Sequence, residues 1–539
     1  MIKENPVVET TTRTRDAEVA KHALPRARIG GGAMLCVVAL VASELRPLRD
    51  QMERRRVIHA SDTPRAIKQE LGQYFTPGHI ADFMASLFPE EQGKEVKILD
   101  PGAGIGILSC ALAERISGEK WDVGEVSVDA YEIDGSLVEQ LRSNIENVLA
   151  PIDGKANIVL GDFLSSVVHD VQQGRLPRYT HVIMNPPYKK IRAESKERES
   201  VRALGLETVN LYTAFMGAAI VATVDGGRIV AIIPRSFCNG VYYKPFRQFM
   251  LERCAIERIH LFGSRDTAFK DESVLQENVI VMLRKGGTQG NVVVSHSADG
   301  SLKDIKLRTF PWNTIVARDD TEQYINIPSC DESVSVNRLD MLCGTIRDIG
   351  LQVSTGAVVD FRIREALRKV PDTDTVPLLY PVHFKNNRVC WPIESKKPNA
   401  LRMEKETEKM VLPGGYYVVV KRFSAKEEKQ RIVASLVAPS DFATSSIAFE
   451  NHLNVFLQDK HGLDKDIAHG LVVWLNTTWL DEKFRLFSGH TQVNATDLRN
   501  LPYPSIEMLK SMGQRLECEK GEWSQQIFNR IVKEVANGK

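Results

Sequence analysis

A chain of 539 residues with 43% apolar and 26% charged residues has the make-up of an ordinary water-soluble protein and the length for two or three domains. Its formal net charge of +1 excludes a bulk-basic nucleic-acid binder, so any surface facing DNA or RNA must be local. Eight cysteines without a CxxC pair or a His/Cys cluster argue against a zinc site or a disulfide framework and for a reducing cytoplasm.

Residues 1–56 read as an N-terminal extension with little expected order. Within it, residues 29–42 are apolar and glycine-rich and follow Arg13, Arg15, Lys21, Arg26 and Arg28. That segment has the length of a signal-peptide core and is too short to span a bilayer, so a peripheral helix or loose extension is expected. Met34 and Met52 leave open a later start. From residue 57 a helical pattern surrounds Leu71-Gly72-Gln73-Tyr74-Phe75-Thr76-Pro77, where Gly and Pro break the chain. Ile80, Phe83, Met84 and Leu87 then recur at helical spacing.

Residue 96 opens an α/β alternation. Strands are expected over 96–100, 126–132, 157–162, 181–185, 228–234 and 256–262, with helical patterns between most of them. A late strand over 278–283 follows closely enough to pair antiparallel with its predecessor. Strands separated by helices predict parallel βαβ units in a doubly wound, Rossmann-like α/β domain over 57–295. After about residue 295 the alternation is lost. A connector over 296–345 and a mixed α+β domain over 346–510 are expected, the latter with short β-like runs such as 416–420. A C-terminal helix over 511–539 closes the chain.

Ligands of open α/β sheets bind beyond the carboxyl ends of the strands. The first strand ends at Asp100 and runs into Pro101-Gly102-Ala103-Gly104-Ile105-Gly106; the next three end at Glu132, Asp162 and Asn185. Glycines let the backbone approach a ligand closely, and Ile107 stands where a dinucleotide fingerprint would want its third glycine. Glu132 can accept hydrogen bonds from both ribose hydroxyls of a nucleoside, and Asp162 one from an adenine amino group, with Phe163 packing on the ring. Singly, each acid also reads as a solvated strand-end carboxylate; jointly, around one glycine turn, they describe a site. Asn185-Pro186-Pro187-Tyr188 then makes a rigid cup of acceptors with a stacking lid, because proline removes donors and fixes φ. That suits a planar substrate bearing an exocyclic amino group.

These motifs resemble the gamma-class N6-adenine DNA methyltransferases, which use S-adenosylmethionine. Residues 100–106 look like their cofactor loop, Tyr131-Glu132-Ile133-Asp134 like their ribose-binding motif, Gly161-Asp162-Phe163 like their adenine-binding motif, and residues 185–188 like their catalytic tetrapeptide. The resemblance extends through residues 71–77, Asn210-Leu211-Tyr212, Ile232-Ile233-Pro234, Phe269-Lys270 and Leu275-Gln276-Glu277-Asn278. It implies that Thr76 contacts the methionine portion of the cofactor and that Phe269 is a second stacking residue for the target base. Further pieces, Val353-Ser354-Thr355-Gly356, Val420-Lys421-Arg422-Phe423-Ser424, Glu450-Asn451-His452-Leu453 and residues 488–496, are similar to PstI/BsuBI-like restriction-system methylases.

The resemblance makes 346–510 a target-recognition domain. Lys421, Arg422, Arg485, His490, Gln492, Asn494 and Arg499 are its candidate DNA contacts, since Arg, Asn and Gln can read base edges and Lys usually meets phosphate. The charged stretch 192–202 is either a gating loop or a solvated face. No metal, nucleophilic cysteine or Ser/His/Asp triad is required. The expectation is a cytoplasmic, monomeric, non-membrane enzyme that acts on double-stranded DNA beside a separate cognate endonuclease. Competing readings are a methyltransferase for RNA or protein glutamine, a modification subunit needing a separate specificity subunit, and a DNA-binding protein with a decayed site.

Overall fold

The strands of the computed structural model are β1 (Val96–Pro101), β2 (Val126–Glu132), β3 (Lys155–Leu160), β4 (Tyr179–Met184), β5 (Thr223–Pro234), β6 (Cys254–Phe262), β7 (Asn278–Lys285), β8 (Val292–Ser297) and β9 (Lys306–Phe310). They form one sheet in the order β3-β2-β1-β4-β5-β7-β6-β8-β9. The structure describes residues 52–54, 75–263, 277–318, 320–330, 342–425, 428–488 and 491–538. Nearly all of the expected extension 1–56, with its apolar segment 29–42, lies outside the described residues. So do residues 71–74, Phe269 and His490.

Strands β1 to β5 pair in parallel, β7 runs antiparallel between β5 and β6, and β8 pairs in parallel with β6. Central parallel strands are covered on both faces and therefore read as continuous apolar runs, as Ile229–Ile233 does. Alternation still sorts the side chains: Val182 and Met184 join one core, and Ile183 the other. Helices α1 (Gly78–Ser86), α2 (Ile107–Gly118) and α3 (Val138–Leu149) cover the second face. Helices α4 (Phe163–Gln172), α5 (Lys196–Ala203), α6 (Leu211–Ala222) and α7 (Lys244–Arg253) cover the first.

Several expectations shift. Strand β3 ends at Leu160 rather than at residue 162, because the Gly161 N–H is taken by the Glu132 carbonyl and Asp162 leaves the strand to cap α4. The sheet also runs past residue 295: β8 and β9 form an antiparallel pair at its edge. No helix separates them, and β9 is exposed along most of its length, so neither periodicity marks it.

The C-terminal region holds a four-stranded sheet, Gln352–Thr355, Leu453–Leu457, Tyr417–Lys421 and Ala434–Val437 in spatial order, beside a five-stranded one. Helices Lys465–Leu475 and Ile506–Cys518 cross closely. A Cβ on Gly470 would lie 1.9 Å from the Leu509 carbonyl oxygen, and one on Gly513 2.0 Å from that of Asp466. Helix Ile506–Cys518 therefore runs across the boundary expected at residue 510 and belongs to the second core, with Gln525–Ala536 following it. The two regions are joined by Arg235, just beyond β5. Its Nη2 donates to the carbonyls of Arg485 (3.0 Å) and Leu486 (2.7 Å) at the end of helix Thr478–Phe487.

Candidate active site

The strand order reverses between β1 and β4, and the carboxyl ends of β1 to β4 open there onto one cavity. Its walls include Thr76, Gly102, Gly104, Glu132, Asp162, Phe163, Asn185 and Pro187. The chain therefore gathers residues spread over more than a hundred positions at one switch point.

The glycine turn after β1 is the floor. Gly102, Gly104 and Gly106 have φ of 76°, 58° and 83°, which L side chains rarely adopt. Gly104 has a second reason to be glycine, since a Cβ there would sit 2.7 Å from the Phe75 ring. The turn is stitched to the end of β2: Gly102 and Ala103 donate to the Tyr131 carbonyl, and the Gly104 N–H donates to Glu132 Oε2 at 2.7 Å. Glu132 Oε1 accepts from the N–H groups of Ile133 (2.9 Å) and Asp134 (2.8 Å). Burial pushes the Glu132 carboxyl above its ordinary range, and these backbone donors pull it back part of the way.

Asp100 is fully buried beneath the turn. Its Oδ2 accepts from the Ser109 N–H at 3.2 Å, while Oδ1 is buried without a partner among the described residues. Burial pushes this carboxyl up to about 7, with the Ser109 hydrogen bonds opposing. Asp162 caps α4, accepting from the Ser165 N–H at 3.0 Å. Phe163 packs edge-on against Tyr131 and beside Phe215, each with ring centroids 5.3 Å apart.

At the end of β4 the Asn185 Nδ2 donates to Thr76 Oγ1 at 3.1 Å. Pro186 is buried and Pro187 meets the cavity. Tyr188 stands at the side of the wall, its hydroxyl donating to the Ile232 carbonyl (3.2 Å) on β5 and its ring edge-on to Tyr212. The stretch 192–202 contains most of α5, from which Glu197 reaches the cavity.

Sequence reasoning passed over Phe75, Ile133 and Phe215 as individual wall residues. Ile133 could have been noticed, as an isoleucine beside a strand-end acid that stays 65% exposed. Phe215 could not, because it is one apolar residue on a helix apolar all round.

The candidate DNA contacts are not gathered in this cavity. Lys421, Arg422 and Gln492 are half-buried on the C-terminal sheet and the segment paired with it. Arg485 is tied to Asp481 Oδ2 (2.7 Å) and the Glu428 carbonyl (2.8 Å). Asn494 caps Ala495–Arg499, and Arg499 donates to the Val353 carbonyl. Among the described residues no His/Cys/Asp/Glu group could hold a metal ion, and no helix is long and apolar enough to cross a membrane.

The family model of the Eco57I restriction-modification methylase matches residues 135–269. The chain is 44% identical over 453 residues to the type II methyltransferase M.BsuBI of Bacillus subtilis, covering 83% of this chain and 90% of that protein. It is 38% identical over 478 residues to M.PstI of Providencia stuartii, covering 86% and 93%. Over 139 residues it is 28% identical to the tRNA1(Val) (adenine(37)-N6)-methyltransferase of Tolumonas auensis, covering 26% of this chain and 51% of that one.

Proposed function

The chain belongs to the type II methyltransferases of restriction-modification systems, and from that premise we propose that it methylates the N6 amino group of adenine within a short DNA sequence. It is a site-specific DNA methyltransferase whose cofactor is S-adenosylmethionine. The cavity fits that cofactor: a turn whose Gly104 has no room for a Cβ, a strand-end acid beside it, and an apolar wall of Phe163, Ile133 and Phe215. When bound, the cofactor supplies a methyl group activated by sulfonium.

Glu132 would hold the ribose hydroxyls, using lone pairs left beside its backbone donors. Asp162 and Phe163 would hold the adenine, and Thr76 would meet the methionine end. The target base sits inside a duplex and must be flipped out at a cost of a few kcal/mol. Tyr188, braced through its hydroxyl on β5, would return about 1–3 kcal/mol by stacking, and Phe269 is proposed to add to it. The Asn185 Oδ1 and the Pro186 carbonyl would accept the two amino hydrogens, drawing the nitrogen lone pair out of conjugation. The observation that carries this reading is the Asn185–Thr76 hydrogen bond. It sets Nδ2 on the Thr76 hydroxyl, and Oδ1 is the acceptor proposed for the substrate amino group. Positioning then supplies most of the rate.

Adenine N6 is favoured over other amino groups by the Asn-Pro-Pro-Tyr turn and by the relative whose own name specifies that atom. Lys421, Arg422, His490, Gln492 and Asn494 are proposed to contact DNA, whereas the Arg485 side chain is held by Asp481 and the Glu428 carbonyl. A monomer is proposed, with a separate endonuclease as functional partner. The test is expression in a methylation-deficient bacterial host, followed by single-molecule sequencing of its DNA. Methylated adenine in one short motif, absent with Asn185→Ala although that variant still binds S-adenosylmethionine, is the expected result. An unmodified genome beside soluble, cofactor-binding wild-type protein would overturn the proposal in favour of a missing specificity subunit or an RNA or protein substrate.

A further inference from the structure

On the C-terminal sheet, one aromatic side chain is displayed instead of buried. Phe423 lies two residues beyond the end of strand Tyr417–Lys421 and remains 47% exposed. Its ring leans on the His452 imidazole, with centroids 5.1 Å apart and planes at 37°. That imidazole is held from behind: its Nδ1 hydrogen-bonds to Glu450 Oε1, and the His452 N–H donates to Glu450 Oε2 at 2.9 Å. The Glu450 side chain is wholly buried, whereas that of His452 is 42% exposed.

Burying a carboxylate is costly, and the short link between strands Ser446–Phe449 and Leu453–Leu457 does not require one. Here it sets the plane of a surface ring. The backbone beneath is equally well held. The Arg422 N–H donates to the His452 carbonyl (2.8 Å), the Val493 N–H to the Arg422 carbonyl (2.7 Å), and the Ser424 N–H to the Thr491 carbonyl (3.0 Å). Phe423 also forms a bridge with Gln492. An exposed phenyl ring on so rigid a base, following Lys421 and Arg422, has little entropy left to lose on binding.

Its neighbourhood leads back to the catalytic turn. Gln492 lies on the segment that leaves helix Thr478–Phe487, whose last carbonyls are held by Arg235. Arg235 directly follows β5, the strand that braces Tyr188 through Ile232.

We propose that Phe423, backed by His452, is a stacking ledge for a nucleobase of the DNA substrate left without its neighbour when the target base is swung out. This rests on the reading that the target is flipped from a duplex. Cations beside an aromatic face are the combination that holds an unstacked base and its phosphates.

The test uses the full chain and duplex DNA bearing the motif mapped by sequencing, with Phe423→Ala, Phe423→Leu and Phe423→Trp. DNA binding is read by fluorescence anisotropy, methyl transfer by kcat and KM, cofactor affinity by calorimetry and folding by Tm. Phe423→Ala and Phe423→Leu are expected to weaken DNA binding and raise the KM for DNA by about 5- to 100-fold. Phe423→Trp should restore both, and cofactor affinity and Tm should stay at the wild-type values in all three. Wild-type DNA binding by Phe423→Leu would overturn the proposal, because a leucine does not stack; so would a Trp variant as weak as the alanine one. Failure of the wild-type enzyme itself to methylate the duplex would bring down the parent reading, and an intact wild type with unaffected variants would bring down the ledge alone.

Discussion

Replacing Arg235 with alanine should destabilise the enzyme more than any surface charge change. The guanidinium and the Glu277 carboxylate are 5% and 2% exposed and meet at 2.8 Å, and Nη2 also serves the carbonyls of Arg485 and Leu486. Removing one partner of such a buried pair costs about 3–5 kcal/mol, because the other charge stays behind in a medium that cannot solvate it. In a unit of several hundred residues, at about 2.1 cal/mol/K per residue, the same loss lowers Tm by only about 3–5 °C, so urea unfolding followed by tryptophan fluorescence is the better assay. Arg235→Ala/Glu277→Gln should recover part of the loss, since the stranded charge is gone. Arg235→Lys should recover little, because one ammonium cannot span the carboxylate and two helix carbonyls as a planar fork does. An Arg235→Ala protein within about 1 kcal/mol of wild type, or a double variant as weak as the single, would refute this account of the junction.

Gly104→Ala should lower S-adenosylmethionine affinity at least about tenfold in calorimetry, since the new Cβ meets Phe75 at 2.7 Å in a left-handed backbone that costs about 1–2 kcal/mol more. Thr76→Val keeps the shape of the side chain but removes the acceptor of the Asn185 amide, so kcat should fall about tenfold with the tetrapeptide intact. Asp100 has its folded-state pKa raised from 3.8 to about 7, so its contribution to stability is full below about pH 4 and is lost as pH rises through 7. Asp100→Asn carries no charge, and in the absence of cofactor its stability relative to wild type should grow from pH 4 to pH 8 by an amount on the order of 4 kcal/mol; a constant difference in urea midpoint would count against a buried, uncharged Asp100.

Much of the catalytic half was legible because its rules are local. Parallel strands buried on both faces announce themselves as apolar runs, and polar residues at their carboxyl ends mark the ligand side; β2 was placed to the residue, and Glu132, Asp162 and Asn185 line one cavity. What escaped depends on partners distant in sequence. Strand β7 inserts between β5 and β6, which proximity to β6 alone does not reveal. Arg485 reads as a DNA contact, yet it is spent on Asp481 and Glu428, since guanidinium groups serve internal carbonyls as readily as phosphates. Gly470 and Gly513 carry no signal in the sequence, and only the crossing of the two helices gives them a reason.

The acid at the end of β2 has a structural role besides the ribose contact proposed for it. Glu132 receives the Gly104 N–H on one oxygen and two of its own following N–H groups on the other, so the glycine turn and the end of β2 form one hydrogen-bonded piece. Asp100, with a single backbone donor, cannot hold that turn in the same way. Burial raises both carboxyls; it is deeper at Asp100, where only Ser109 opposes it, than at Glu132, where three backbone donors do. Truncating Glu132 would therefore release the floor of the cavity as well as a ligand contact, and the affinity lost would exceed the worth of the ribose hydrogen bonds. The acceptors at this end of the cavity are already shared with the backbone, so the fold sets in advance the direction of the lone pairs proposed to meet the cofactor.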